Sequence, residues 1–234
     1  MQKIPKKVAV ITGGSNGIGN AIINMLTKDD VLTFNADLAP PANDNILCHY
    51  LNTNITKAND IDKLFVEVSK HTSSPDLLVC NAGKGLLEKI TEGDPEKWQQ
   101  LFELNVMGQL RTIRAFAPSM IKKGKGDIVI ISSVAFNQPH DSGGIYAATK
   151  SAMKMVTETL RIELPVSIRV TTITPGVVDT SFFSSMISGQ QSVESIGCGA
   201  LSPDDVADAV HYAINCPRHY AINDITLRPI DQKF

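Results

Sequence analysis

VAVITGGSNGIG, residues 8–19, is a β-branched run that breaks directly into glycines. VAVIT has the composition of a strand buried on both faces. Gly13, Gly17 and Gly19 follow at once. Over residues 17–28, Ile18, Ala21, Ile22, Met25 and Leu26 then fall on one helical stripe. Strand, glycine turn and helix in that order leave free backbone N–H groups and the positive dipole end at one point, where glycines let a pyrophosphate approach the backbone. Taken alone, the glycines also fit a plain strand-to-helix turn.

Outward from that turn the chain alternates short apolar runs with longer helical patterns. VLTFNA ending at Asp37, ILCHYL, DLLVC ending in Asn81-Ala82-Gly83, DIVIISS, SIRVTTI and ITLRP read as strands. Residues 56–71 carry Ile61, Leu64, Phe65 and Val68 at helical spacing. Residues 144–164 form another helix, and Ser202-Pro203-Asp204 starts a further one. A long helix is expected from Asp94-Pro95, where Asp caps and Pro takes the first turn, with Pro118 kinking its last turns. Trp98, Leu101, Phe102, Leu104, Val106 and Leu110 make it apolar over much of its circumference, which predicts burial on two sides. APPAND, residues 39–44, is too turn-rich for more than a short helix. The alternation predicts an α/β fold: a doubly wound parallel sheet of about seven strands with helices on both faces, in one domain over residues 1–234. Residues 181–200, rich in Ser, Gly and Gln, are expected to form a functional loop.

Bulk properties narrow the partners. The 234 residues carry a net charge of -2 with 20% charged residues, which gives no reason to expect nucleic acid or an anionic membrane. No run approaches the roughly 18 apolar residues that span a bilayer. The apolar run after Lys3, Lys6 and Lys7 is too short for a signal-peptide core, so the expected location is the cytoplasm. Cys48, Cys80, Cys198 and Cys216 form no CxxC pair, and His49, His71, His211 and His219 show no ligand spacing; no metal is expected. His140 either lines a pocket or is a solvated loop residue.

The chemistry is carried by polar residues downstream. Tyr146 and Lys150 in YAATK lie four apart, one helical turn, on the same face. An ammonium beside a phenol is expected to lower the phenol's pKa, so that it exchanges a proton near neutral pH. Ser133 and Asn105 lie upstream. Asp37 stands 24 positions after Gly13; a carboxylate there accepts from ribose hydroxyls and repels a 2′-phosphate. Ser15, Asn16, Leu38 and Ala39 bring no compensating positive charge, so NAD is expected over NADP. The plainer alternative is that Asp37 only opens a turn.

TGGSNGIG, Asn81-Ala82-Gly83, Asn105 in LNVMG, Ser133 thirteen positions before Tyr146, YAATK and Pro175-Gly176 together resemble the short-chain dehydrogenase/reductase family, in its order, from Thr12 to about Thr180. The resemblance implies a Rossmann-type fold, NAD(P)-dependent oxidoreduction of a small alcohol or carbonyl compound, and a homodimer or homotetramer. It implies catalytic roles for Asn105, Ser133, Tyr146 and Lys150, with Asn105 anchoring a proton-relaying water. The cofactor residues it implies are Gly13, Ser15, Asn16, Gly17, Ile18, Gly19, Asp37, Asn54, Ile55, Asn81, Ala82, Gly83, Tyr146, Lys150, Pro175, Gly176, Val178 and Thr180. Two departures stand out. Asn54 sits where the family often has an aspartate facing the adenine amino group, and offers a carbonyl acceptor instead. NDITLRPIDQKF lacks the common VDGG-like ending and looks like that of members acting on small polar substrates, often with NADP.

Other functions compete with an enzyme. A dinucleotide-binding regulator would bind NAD(H) without turnover, and a structural partner protein would bind no cofactor. Substrate choice is expected to reside in residues 135–144 and 181–200, with Phe136, Phe182 and Phe183 as either pocket walls or core.

Overall fold

The computed structural model describes residues 7–138 and 140–233. In chain order the elements are β1 Lys7–Thr12, α1 Gly17–Lys28, β2 Val31–Asp37, β3 Cys48–Asn52, α2 Ala58–Ser69, β4 Leu77–Cys80, α3 Pro95–Phe102, a π-helical segment Glu103–Gly108, α4 Gln109–Lys123, β5 Gly126–Ile131, α5 Gly144–Glu163, β6 Ile168–Pro175, α6 Pro203–Asn215 and β7 Asp224–Leu227. The strands form one sheet in the order β3-β2-β1-β4-β5-β6-β7, and every neighbouring pair is parallel. This is the expected doubly wound, Rossmann-type arrangement.

Strand side chains alternate between two cores. Val10, Phe34, Leu78, Ile128 and Ile130 pack under Leu64 and Val68 of α2, Phe116 and Met120 of α4, and Met153 of α5. Ala9, Ile11, Val79, Val129 and Ile131 face the other way, against Ile22 and Leu26 of α1 and Val206 and Val210 of α6. β1 and β4 are buried on both faces, which is why they read as near-continuous apolar runs. The helix starts follow sequence chemistry. The Asp94 carboxylate accepts from Glu96 N ahead of Pro95, and Ser202 and Asp205 form a reciprocal capping box.

Several boundaries differ from expectation. The long helix from Asp94-Pro95 is not continuous: α3 ends at Phe102, and a π turn precedes α4. The extra residue in that turn carries Asn105 into the interior, where its side chain has fixed partners. Leu101 is fully buried while Phe102 and Met107 stay partly exposed. β5 stops at Ile131, two residues short of the expected end, because Ser133 turns away to cap a 3-10 turn, Val134–Phe136. β3 begins two residues late and β6 runs on to Pro175.

The sheet order reverses between β1 and β4, and ligands of such sheets bind outside the carboxyl ends at that reversal. Thr12 and Asn81 stand on either side of it.

Candidate active site

The glycine turn is built as a cradle. Gly13 has φ +67, and a Cβ there would lie 2.9 Å from Ala82 Cα. A Cβ on Gly19 would lie 2.1 Å from the Gly13 carbonyl oxygen, so no side chain fits between the turn and α1. Asn16 is the N-cap of α1, but its side chain makes no capping bond and the first turn holds no acid. The amides of Gly17, Ile18 and Gly19 therefore begin a helix whose dipole end is open to an anion.

The side walls are cross-braced. The Asn81 amide donates to Thr12 O (3.1 Å) and Gly13 O (2.8 Å), while Thr12 Oγ1 accepts from the backbone N–H groups of Asn81 (3.0 Å) and Ala82 (3.1 Å). On the other side Asp37, at the end of β2, accepts from Ser15 N at 2.9 Å. Asn35, wholly buried two residues earlier, accepts from Gly14 N at 3.0 Å and donates to Ser15 Oγ at 3.0 Å. Two buried polar atoms beside the cleft, Gln109 Oε1 and Ser132 Oγ, have no protein partner among the described residues. An open helix end and a side-chain-free cradle fit a dinucleotide phosphate.

The proton-handling residues meet beyond the end of β5. Ser133 hydrogen-bonds the Tyr146 phenol and also accepts from Ala135 N at 3.2 Å. Lys150 Nζ lies 5.8 Å from the Tyr146 ring centre and donates to Ile131 O at 3.1 Å. Asn105 does not touch the phenol. It accepts from Lys84 N (3.0 Å) and donates to Lys84 O (2.9 Å) and Thr149 Oγ1 (3.1 Å); Thr149 in turn donates to Tyr146 O. Asn105 thus ties the loop after β4 to the backbone of α5.

The electrostatics correct the expectation of a lowered phenol. Burial pushes Tyr146 up to about 12, and the Ser133 hydrogen bond offsets only part of this. Burial also pushes Lys150 down to about 8. Desolvation disfavours the charged form of each, and for the phenol it outweighs the Ser133 hydrogen bond.

Other expected site residues divide. Thr180 packs against Gly17, its Cγ2 3.0 Å from where a Cβ would stand, so the segment after β6 reaches the glycine turn. Gly176 N bonds Leu227 O, and Val177 N bonds Gln232 Oε1, which places the C-terminal segment beside Pro175-Gly176. The Val178 side chain goes into the core between α1 and α6, leaving only its backbone for a ligand. Asn54 is a correction. Its carbonyl oxygen accepts from both Thr56 N (3.0 Å) and Thr56 Oγ1 (2.8 Å), so the acceptor expected to face adenine is committed to the entry of α2. Ile55 is buried against Gly108 of the π turn. His140 is exposed and its ring bonds Gln138 O in its own loop.

Residues 181–191 fold over the cleft. The Phe182 ring lies 5.9 Å from that of Tyr146, tilted 55°, and meets Phe183 edge-on. Leu87 N bonds Ser188 O and Ile187 N bonds Gly85 O, which seats the segment on the loop after β4. Asn35, Lys84, Gln109 and Thr149 belong to the site without any motif that marks them in the sequence. Only Asn35 leaves a trace in sequence: it is a lone amide inside an otherwise apolar strand.

Residues 7–191 match the short chain dehydrogenase family. An uncharacterized oxidoreductase of Staphylococcus epidermidis is 32% identical over 98% of this chain and 100% of its own length. One from Staphylococcus saprophyticus is 33% identical with the same coverage. Among solved structures, an alcohol dehydrogenase from Thermococcus sibiricus, complexed with 5-hydroxy-NADP, superimposes with a TM-score of 0.84 at 28% identity, covering 97% of this chain and 98% of that one. The braced glycine turn, the reversal between β1 and β4 and the extent of the match place this chain in the short-chain dehydrogenase family of oxidoreductases.

Proposed function

We propose that the chain acts as one catalytic domain, an NAD-dependent dehydrogenase or reductase that interconverts a small alcohol and its carbonyl compound, with Tyr146 as general acid and base. The observation that carries this reading is the convergence of Ser133 and Lys150 on the Tyr146 phenol, beside a turn fitted for phosphate. When bound, the nicotinamide supplies or accepts the hydride. The proton is the protein's task. Tyr146, held protonated by its surroundings, donates to the oxygen of a carbonyl substrate; in the opposite direction it takes that proton back. Ser133 hydrogen-bonds the same oxygen and stabilises its charge. Lys150 keeps a positive charge over the Tyr146 ring and would hold the nicotinamide ribose. Asn105 acts through position, fixing the loop after β4 against α5 and so the angle at which Tyr146 enters the cleft.

The glycine turn and Asn81-Ala82-Gly83 would hold the pyrophosphate and adjoining ribose, with Pro175, Gly176 and Thr180 beside the nicotinamide. Asp37 supports NAD over NADP, because its carboxylate stands against Ser15 N where a 2′-phosphate would add a second negative charge. Met155 and Ile162 on the exposed face of α5 and Ile121 on α4 support a homodimer or homotetramer. Four free cysteines suit a reducing compartment such as the cytoplasm. The deciding experiment is a matched NADH and NADPH oxidation screen over varied carbonyl compounds. NADH-linked turnover is expected; NADH binding without turnover across the panel would replace the enzyme with a dinucleotide-binding regulator.

A further inference from the structure

Lys84 follows directly on Asn81-Ala82-Gly83, at the carboxyl end of β4. Its backbone is gripped on both sides by the Asn105 amide. Its side chain is half-buried, and the ammonium donates to the carbonyl of Ser185, 2.8 Å away in the segment that covers the cleft. Among the described residues no carboxylate stands within ion-pair distance of it, whereas Lys97, Lys123 and Lys154 each hold one. The nearby acid, Glu88, is already engaged by Ser188, the Asp94 backbone, Trp98 and Lys97.

The position of that ammonium relative to the chemistry follows from contacts. A Cβ on Gly85, the next residue, would lie 3.0 Å from the Phe182 ring, and Phe182 leans on Tyr146. The remaining walls, Phe182, Phe183 and Met186, are apolar. Besides Lys150, which stands with Tyr146, Lys84 thus brings the cleft a side-chain cation that, among the described residues, is held by a neutral carbonyl on a covering segment, at the rim of an apolar enclosure. A carbonyl is a weak partner for an ammonium, and an anion is a better one.

We propose that Lys84 selects the substrate: an alcohol or carbonyl compound carrying an anionic group, which takes the Lys84 ammonium in place of the Ser185 carbonyl while the reacting oxygen meets Tyr146 and Ser133. The inference rests on the oxidoreductase reading above and adds the substrate class to it. The exchange also links binding to the cover, because the same ammonium anchors residues 181–191.

The test uses short oxo acids and their methyl esters as paired carbonyl substrates with NADH, on the full chain. The expected result is higher kcat/KM for the acid than for its ester. In Lys84→Met that ratio falls by about tenfold, chiefly through KM for the acid, the scale of one charge-assisted contact; Lys84→Arg restores it. NADH titration and a melting curve confirm that each variant is folded. A parallel pair, a phosphorylated ketone against its free ketone, assigns the anion as phosphate if only that pair shows the Lys84-dependent preference. If in neither pair the charged member is preferred by the unaltered protein, or if in both pairs the two members fall by the same factor in Lys84→Met, Lys84 is only a latch and the assignment is overturned. If NADH binds and nothing in the whole carbonyl panel is turned over, the oxidoreductase reading falls and takes this one with it.

Discussion

Asn35 holds the glycine turn from below: its side-chain oxygen accepts from Gly14 N at 3.0 Å, and a Cβ on Gly14 would come within 2.5 Å of that oxygen. The same amide donates to Ser15 Oγ, so one buried side chain fixes two consecutive residues of the turn. Replacing it with Ala leaves the Gly14 N–H without its partner in a dry site. Asn35→Ala is expected to lower unfolding stability by about 1–3 kcal/mol and to weaken NADH binding more than a distant substitution of equal cost. Denaturant unfolding and NADH fluorescence titration on the same preparations check this. Unchanged NADH affinity in a destabilised variant would reduce Asn35 to a core residue.

Asp37 does two things that one substitution separates. It accepts from Ser15 N, which any carbonyl oxygen can do, and it carries a charge, which only the carboxylate does. Asp37→Asn keeps the first and removes the second. The ratio of NADPH to NADH efficiency is expected to rise by about tenfold or more, since like-charge contacts are costly at such sites. Kinetics with each nucleotide at varied concentration give the ratio. No change would mean that Asp37 serves the turn alone.

Tyr146 is the group on which turnover depends in the proposed reaction. Tyr146→Phe keeps the ring against Phe182 and removes only the hydroxyl that Ser133 bonds. Turnover is expected to fall by at least about 10²-fold, the usual contribution of a general acid or base, with NADH binding nearly intact. Near-normal turnover in the purified variant would remove Tyr146 from the proton-transfer role.

The parts of the fold that were legible in sequence are those where one local signal dominates. The runs at Val8–Ile11 and Leu77–Cys80 are buried on both faces, so they carry no polar residue to blur them. Asp94-Pro95 and Ser202-Pro203 start helices because capping chemistry is local. The break at Asn105 was not legible. It depends on Lys84 and Thr149, which lie 21 and 44 positions away. The same holds for Asn54: only its contact with Thr56 reveals that its oxygen is spent on the entry to α2. The spacing of Tyr146 and Lys150 located the pair but not its electrostatics, because the cost of desolvation depends on what the rest of the chain packs around it.

That cost has a measurable sign. Lys150 loses its proton near 8 in the folded chain, against an ordinary value of 10.5. Below 8 both states carry the ammonium, and the folded state bears the full penalty of holding it in the cleft. Between about 8 and 10.5 the unfolded chain binds more protons than the folded one, so stability rises with pH. Tyr146 acts in the opposite sense and higher: folded it keeps its proton to about 12, unfolded it gives it up near 10, so its contribution is lost as pH climbs between those values. Lys150→Met removes the first window and leaves the second. Subtracting the variant's unfolding free energy from that of the unaltered protein, across denaturant curves from neutral pH to about 10, should give a difference that climbs through the Lys150 window. A flat difference would mean that Lys150 keeps its ordinary affinity for the proton, and that its ammonium stands in water rather than against the phenol.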